Sequence, residues 1–305
     1  MSELYRKYRP KEFGGVLGQD TAVRIVTSAL KQRRVPHSIL FTGPPGTGKT
    51  TMARILTAKL ECSSHDYYEK NSADFRGIDT VRDMRKLLYL SRRGGKNRVF
   101  VLDEVHKMTN DAQTALLKML EDTPPHVYFM LCTTEPTKVI SAIHSRCTEI
   151  KLSPVADSVL GKLVRTIAAK VGCKHTDKVY DRIVEVAEGS ARKALVLLQA
   201  TLDFEDEEEC LNSIRSTQAK QDAIEIARAL IRGAYWKDLA KILKEVDEEP
   251  ETIRHLVLAY ATTVLLNGGG AAPRAFFVVN AFRDNFFDSK KAGLVAACWE
   301  VCGRK

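Results

Sequence analysis

Residues 38–60 read SILFT-GPPGTGKT-TMARILTAKL, and this stretch decides the fold. Ser38–Thr42 is a short apolar run of strand character. Gly43-Pro44-Pro45-Gly46-Thr47-Gly48-Lys49-Thr50 fits GxxxxGK[ST] at every fixed position, and a helical pattern opens at Thr51. Strand, glycine-rich loop and helix in this order make a phosphate cradle, because the glycines let successive backbone N–H groups turn toward an anion at a helix N-terminus. Lys49 is then placed to reach the β- and γ-phosphates of a nucleotide, and the Thr50 hydroxyl to hold Mg²⁺. Downstream, the apolar run Val99-Phe100-Val101-Leu102 ends in Asp103-Glu104, followed by Val105-His106. A buried parallel strand delivers its C-terminal residues to the sheet edge where ligands bind. Asp103 therefore fits a Mg²⁺ role and Glu104 that of the base orienting an attacking water.

Working outward, strand-like runs at Ser38–Thr42, Arg98–Asp103, Val127–Thr133 and Glu149–Leu152 alternate with helical patterns. That alternation predicts an α/β domain on a parallel sheet. After Pro154 the strand signals fade, and amphipathic stretches follow at Val155–Val171, Lys178–Ala187, Ala191–Asp203, Gln218–Arg232, Tyr235–Val246 and Glu251–Leu266. The acidic run 203–209 reads as a solvated linker or helix start, and GGGAAP at 268–273 as a second interruption. Three domains are expected: a nucleotide-binding domain over 1–153, a small helical domain over 154–213 and an all-helical domain over 214–305. The apolar tail after Ala271, FFVVNAFRDNFF, reads equally as core or interface.

Charge is uneven along the 305 residues: 1–150 hold 24 Lys+Arg against 16 Asp+Glu, whereas 151–305 hold 23 against 22. A basic half points to a polyanionic partner. Seven scattered cysteines with no CxxC pair argue against a disulfide framework or a zinc knuckle. The charged start and the lack of a long apolar run predict an intracellular protein with no membrane contact. DEVH also evokes DExH helicases, but those need a second nucleotide-binding-type lobe and a later arginine-rich motif that this chain does not offer.

Tyr8-Arg9-Pro10, Phe13, Val16, Gly18-Gln19, the P-loop, Asn71-Ser72-Ala73-Asp74 with Arg76-Gly77-Ile78-Asp79, DEVH and Ser145-Arg146-Cys147 occur in an order that resembles the clamp-loader ATPases of the AAA+ superfamily. The likeness spans residues 8–194 and extends to the replication factor C small subunit and bacterial gamma/tau types. It implies an AAA+ domain, a helical lid and an all-α collar. The implied activity is ATP hydrolysis with Mg²⁺ that loads a sliding clamp onto primed DNA during replication, within an assembly of other loader subunits, usually five, in the cytoplasm or wherever the DNA lies. The resemblance makes Thr134, or Thr133 one residue earlier, the γ-phosphate sensor, and Arg192 of Gly189-Ser190-Ala191-Arg192 the lid's sensor. It makes Arg146 an arginine finger that acts on a neighbour's ATP; without the flanking Ser145 and Cys147 a local salt bridge would be the plainer reading. Thr51, Tyr8, Arg9, Val16 and Gln19 join Gly43–Thr50 as nucleotide contacts. Two departures stand out: only Cys62 remains where the gamma/tau pattern has four zinc-holding cysteines, so no zinc is expected, and Lys193 replaces an acid after the sensor arginine.

The stretch 79–93, DTVRDMRKLLYLSRR, reads as a helix with Val81, Met84, Leu87 and Leu88 on one face and Arg82, Arg85, Tyr89 and Arg92 on an adjacent stripe. Taken alone, a basic stripe is a solvated face; the resemblance turns it toward the DNA backbone, with Lys86, Lys107 and the helix-capping Thr109 as further candidates. Such contacts track phosphates and carry no base code. His106 fits a coupling or packing role better than a ligand role.

Overall fold

The computed structural model describes residues 3–72, 78–89, 94–246 and 248–303. In chain order the helices are α1 (Leu4–Lys7), α2 (Asp20–Lys31), α3 (Lys49–Lys59), α4 (Ile78–Leu88), α5 (Asn110–Glu121), α6 (Ser141–Arg146), α7 (Asp157–Lys170), α8 (Asp177–Ala187), α9 (Ala191–Thr201), α10 (Glu207–Arg232), α11 (Trp236–Glu245), α12 (Pro250–Leu266), α13 (Ala272–Ala281) and α14 (Lys290–Gly303). The strands are β1 (Ser38–Thr42), β2 (Cys62–Asn71), β3 (Asn97–Asp103), β4 (Val127–Thr133) and β5 (Thr148–Lys151). They form one parallel five-stranded sheet in the order β2-β3-β4-β1-β5.

The three central strands, β3, β4 and β1, are buried on both faces, which is why they read as continuous apolar runs. Side chains alternate across it. Ile39, Phe41, Val99, Val101, Met130 and Cys132 pack with Val26 of α2 and Met52 and Leu56 of α3. Leu40, Phe100, Leu102, Phe129 and Leu131 pack with Met84 and Leu88 of α4, Leu116 of α5 and Ile143 of α6. Because all strands run the same way, the ends of β1, β3 and β4 bring the P-loop, Asp103-Glu104 and Thr133-Thr134 to one edge.

Sequence reasoning missed β2, whose residues CSSHDYYEKN carry little apolar pattern. It is an edge strand paired with β3, and its buried Asp66 is matched by the buried Arg98, with Oδ1 2.7 Å from Nη2. Helix α4 is present as expected over its described part, whereas Arg92 lies outside the described residues.

The chain divides into two compact units, Met1–Gln199 and Ala200–Lys305. Within the first, α7 to α9 follow the sheet, and Val155 N–H donates to Gly189 O at 2.9 Å. In the second, α10 to α14 enclose a core of Ile226, Leu230, Leu239, Val257, Phe282 and Leu294 among others. The boundary expected at 213/214 falls inside α10, which runs unbroken from Glu207. The acidic run is what starts that helix: Asp206 accepts from the N–H groups of Glu208 and Glu209 at 2.9 and 3.0 Å, and Glu207, Glu208 and Glu209 lie where the helix dipole favours negative charge. The apolar tail supplies core through Val278, Phe282 and Phe286, which are buried, whereas Phe276 and Phe287 are exposed.

Candidate nucleotide-hydrolysis site

The P-loop leaves β1 and enters α3 through Gly46 and Gly48, both at positive φ (76° and 105°), a region costly for any side-chain-bearing residue. A Cβ at Gly46 would also strike the Ser190 hydroxyl, so the lid approaches the loop backbone there. Lys49 Nζ donates to the carbonyl oxygens of Gly43 and Pro44 at 2.8 and 2.7 Å. Burial pushes the Lys49 ammonium below its ordinary pKa, against the pull of Cys132, Glu104 and Asp103. Thr50 Oγ1 donates to Asp103 Oδ2 at 2.8 Å, and the other oxygen, Oδ1, accepts from the Glu104 N–H at 3.0 Å.

Glu104 has a left-handed backbone, φ 56°, which swings the chain out of β3. Its Oε2 accepts from Thr134 Oγ1 at 3.3 Å and lies 3.3 Å from His106 Nε2 and 3.5 Å from Lys107 Nζ. Thr133 and Thr134 divide the labour: Thr134 meets Glu104, whereas Thr133 is fully buried and holds His106 Nδ1 at 3.0 Å.

One and the same cleft is lined by Pro45, Gly46, Thr47, Gly48, Lys49, Thr50 and Thr51 of the loop and α3, and by Asp103 and Glu104. Tyr8, Arg9 and Val16 line it from the N-terminal segment, and Arg192 from the lid. Gly43, Pro44 and Gln19 are not among the residues that line it. Gln19 clamps Ser153 with paired hydrogen bonds, Nε2 to O at 2.7 Å and Ser153 N to Oε1 at 3.1 Å, and so fixes where the lid connection leaves β5.

Sequence reasoning missed Tyr5, Pro10, Leu17, Val155, Leu163 and Leu195 as lining residues. Tyr5 was within reach of inspection: it lies three residues before Tyr8, the spacing that puts side chains on one helix face. The Arg192 guanidinium sits over its ring, 5.6 Å from the centroid.

Arg146 is not in this cleft. It ends α6, is half exposed, and meets Glu121 of α5 at 3.0 Å. Arg82 and Arg85 of α4 line a separate groove with Asp111, Thr114 and Lys118 of α5. Lys86 pairs with Asp83 at 2.8 Å, Lys107 faces Glu104, and the Thr109 hydroxyl caps α5 by accepting from Ala112 N–H at 3.2 Å.

Two family models match the chain, "DNA polymerase III, delta subunit" over residues 67–156 and "Magnesium chelatase, subunit ChlI" over residues 12–86. The replication factor C small subunit of Haloarcula marismortui is 33% identical over 249 residues, 80% of this chain and 76% of that protein. Replication factor C subunit 4 of Encephalitozoon cuniculi is 35% identical over 204 residues, 67% of this chain and 66% of that one. The chain belongs to the clamp-loader family of AAA+ ATPases. This clamp-loader chain is also 31% identical to the DNA polymerase III subunit gamma/tau of Mycoplasma pneumoniae, and there it spans 67% of itself but only 33% of the relative. Among solved structures, the RuvB branch-migration motor of Thermotoga maritima matches with a TM-score of 0.59 at 21% identity, over 78% of this chain and 85% of that one, and so shares the fold.

Proposed function

We propose that this chain is an ATPase subunit of a sliding-clamp loader, which binds Mg-ATP between P-loop and lid, assembles head to tail with further subunits into a five-membered spiral, and couples hydrolysis to placing a ring-shaped clamp on primed DNA. The observation that carries the reading is the Thr50–Asp103 bond at 2.8 Å beside Glu104, in a cleft shared with Lys49 and Arg192 of a clamp-loader chain. A hydroxyl and a carboxylate are hard oxygen ligands of the kind Mg²⁺ takes, so the donor set fits the ion. When bound, Mg²⁺ neutralises charge on the phosphate oxygens.

The chain's own residues supply the rest. Lys49, held in the loop by carbonyls, is oriented before an anion arrives, and an anion beside it favours the charged ammonium that burial opposes. Glu104 orients the water; Thr134 keeps its carboxylate in place. Arg192 brings a permanent planar cation from the lid. Arg146 lies outside its own cleft in a half-exposed ion pair with Glu121; that local pair would have to open for a role on a neighbour's nucleotide, in a site complete only in an assembly. The Arg82, Arg85 and Lys118 groove supports a DNA-backbone track. Helices α7 to α9 then act as the lid, and the second unit, Ala200–Lys305, as the oligomerising collar of a protein that works inside the cell beside DNA. No helix among the described residues is long and apolar enough to cross a membrane.

The test is ATP turnover with and without cognate clamp and primed DNA. Stimulation by both together is expected, and in Arg146→Ala nucleotide binding persists while stimulated turnover falls about 10³-fold or more. Undiminished turnover in that variant refutes the finger in trans, and indifference to clamp and DNA refutes the loader.

A further inference from the structure

We propose that His106 is a positioning residue that sets the Glu104 carboxylate and ties it to the segment leading to Arg146. The inference rests on Glu104 being the residue that orients the water. The His106 side chain is 4% exposed, and its ring bridges three elements. Nδ1 lies 3.0 Å from Thr133 Oγ1 at the end of β4. Nε2 lies 3.3 Å from Glu104 Oε2 and 3.2 Å from Glu135 Oε1.

The hydrogen-bond roles follow from Thr133. Its hydroxyl oxygen already accepts from the Glu135 N–H at 3.1 Å, so its own proton is available to donate to Nδ1. The ring proton then sits on Nε2, which faces both carboxylates. Burial favours the neutral ring, with Lys107 and Lys138 acting in the same sense and Glu104 and Glu135 against it. A neutral donor suits the task, because it fixes Glu104 without cancelling the charge that polarises water.

Glu135 is where this site meets the finger. Its other oxygen pairs with Lys138 at 2.6 Å. The segment 135–140 is pinned to α5 by Gln113, which donates to Lys138 O at 3.3 Å and accepts from Ile140 N–H at 2.9 Å. His144 of α6 reaches back to Pro136 O at 3.0 Å, and α6 ends in Arg146. A shift of α6 when Arg146 engages a neighbour's nucleotide therefore moves Glu135, and through the His106 Nε2 edge that both carboxylates face it moves Glu104. Hydrolysis in one subunit is thereby made conditional on the contact that the same subunit makes next door.

The experiment compares His106→Leu, His106→Gln, Glu135→Ala and the double variant His106→Leu/Glu135→Ala, with Glu104→Gln as control, in the assembled loader with clamp and primed DNA. Losing this polar contact with a charged group predicts a kcat lower by about tenfold or more in His106→Leu, with ATP affinity by calorimetry within about twofold. His106→Gln, whose amide N–H replaces Nε2–H, retains most of the activity. Glu135→Ala also lowers kcat, and the double variant is no worse than His106→Leu alone, since both changes cut one connection. Glu135 is 45% exposed, so Glu135→Ala carries the test if His106→Leu does not fold. Independently of turnover, ¹⁵N-imidazole spectra of the full chain are expected to show His106 as the Nε2–H tautomer. A wild-type kcat in His106→Leu or Glu135→Ala, losses that multiply in the double variant, or an Nδ1–H tautomer would overturn the inference. A Glu104→Gln chain that still hydrolyses ATP overturns the base assignment as well. A silent Glu104→Gln beside an active His106→Leu overturns the positioning role alone.

Discussion

Arg98→Met is expected to be the most costly single charge removal in the first unit, and the cost can be worked from geometry. The Arg98 side chain is 2% exposed and faces Asp66, which is 0% exposed, through Nε at 3.1 Å and Nη2 at 2.7 Å. Its Nη1 donates to Leu87 O in the last turn of α4, so one guanidinium joins β3, the edge strand β2 and the helix that carries Arg82 and Arg85. Removing one partner of a buried pair costs about 3–5 kcal/mol, because the remaining charge stays in a dry site. Against a total stability of about 5–15 kcal/mol that is a large fraction. With a urea m-value of about 3 kcal/mol/M, the midpoint should fall by at least about 1 M. Lys86→Met supplies the comparison: that lysine pairs with Asp83 where both side chains are more than 70% exposed, and such a pair is worth about 0–1 kcal/mol. The two tryptophans, Trp236 and Trp299, both lie in the second unit, so fluorescence follows that unit while circular dichroism follows both. The expected result is a lowered dichroism midpoint with an unmoved tryptophan transition. Asp66→Leu/Arg98→Met, which replaces both charges by apolar groups, should recover most of the loss. A midpoint in Arg98→Met indistinguishable from that of Lys86→Met would refute the premise that the pair is dry.

The second unit has an acid-sensitive counterpart. Glu251 accepts from Arg254 Nε at 2.8 Å and from Phe286 N–H at 2.7 Å, and the Arg254 bond chiefly holds its pKa down to about 2, below the ordinary 4.5. A carboxylate depressed by folding stabilises above its unfolded pKa and loses that contribution as pH falls through the folded one. Tryptophan-detected stability should therefore drop between about pH 4.5 and 2, and Glu251→Gln should start lower and show a flatter acid limb; an unchanged limb would sink the assignment. On the DNA side, Arg82→Ala/Arg85→Ala should weaken stimulation by primed DNA and reduce the salt slope of binding by up to about 2, while basal hydrolysis is spared. An unaltered slope would mean that the groove between α4 and α5 is not the phosphate track.

The parts of this molecule legible in the sequence are those whose physics is local. The P-loop announces itself because glycine spacing, a strand before it and a helix after it are all contiguous, and Asp103-Glu104 because an apolar strand ends on them. Strand β2 was hidden because an edge strand need not be apolar, and its one fully buried acid is matched by a basic residue 32 positions away. The start of α10 was half legible: the acidic run was recognisable as a helix start, yet nothing in sequence showed that the helix continues through residue 214. Tyr5, Val155, Leu163 and Leu195 became site residues through closure of the lid segment over the N-terminal one, a long-range event that periodicity does not encode.

That closure bears on how the site works. Leu4 N–H donates to Gln199 Oε1 at 2.7 Å, so the first helix is fastened to the end of α9, and the cleft is bounded by segments nearly two hundred residues apart. In the same place Arg192 rests over the Tyr5 ring. A cation–π contact near the surface is worth about 0.5–1 kcal/mol, whereas a hydrogen bond from a guanidinium to an anion is worth about 1.5–3 kcal/mol. Tyr5 therefore orders the guanidinium at the rim without competing with a phosphate for it. Because Arg192 stands on α9 and Lys49 opens α3 at the end of the P-loop, any anion that engages both draws α9 and the loop together. Cutting that anion releases part of the hold. A lid that meets the N-terminal helix through the Leu4–Gln199 hydrogen bond and the Arg192–Tyr5 ring contact can respond to such a change, while Gln19 keeps its connection to β5 fixed.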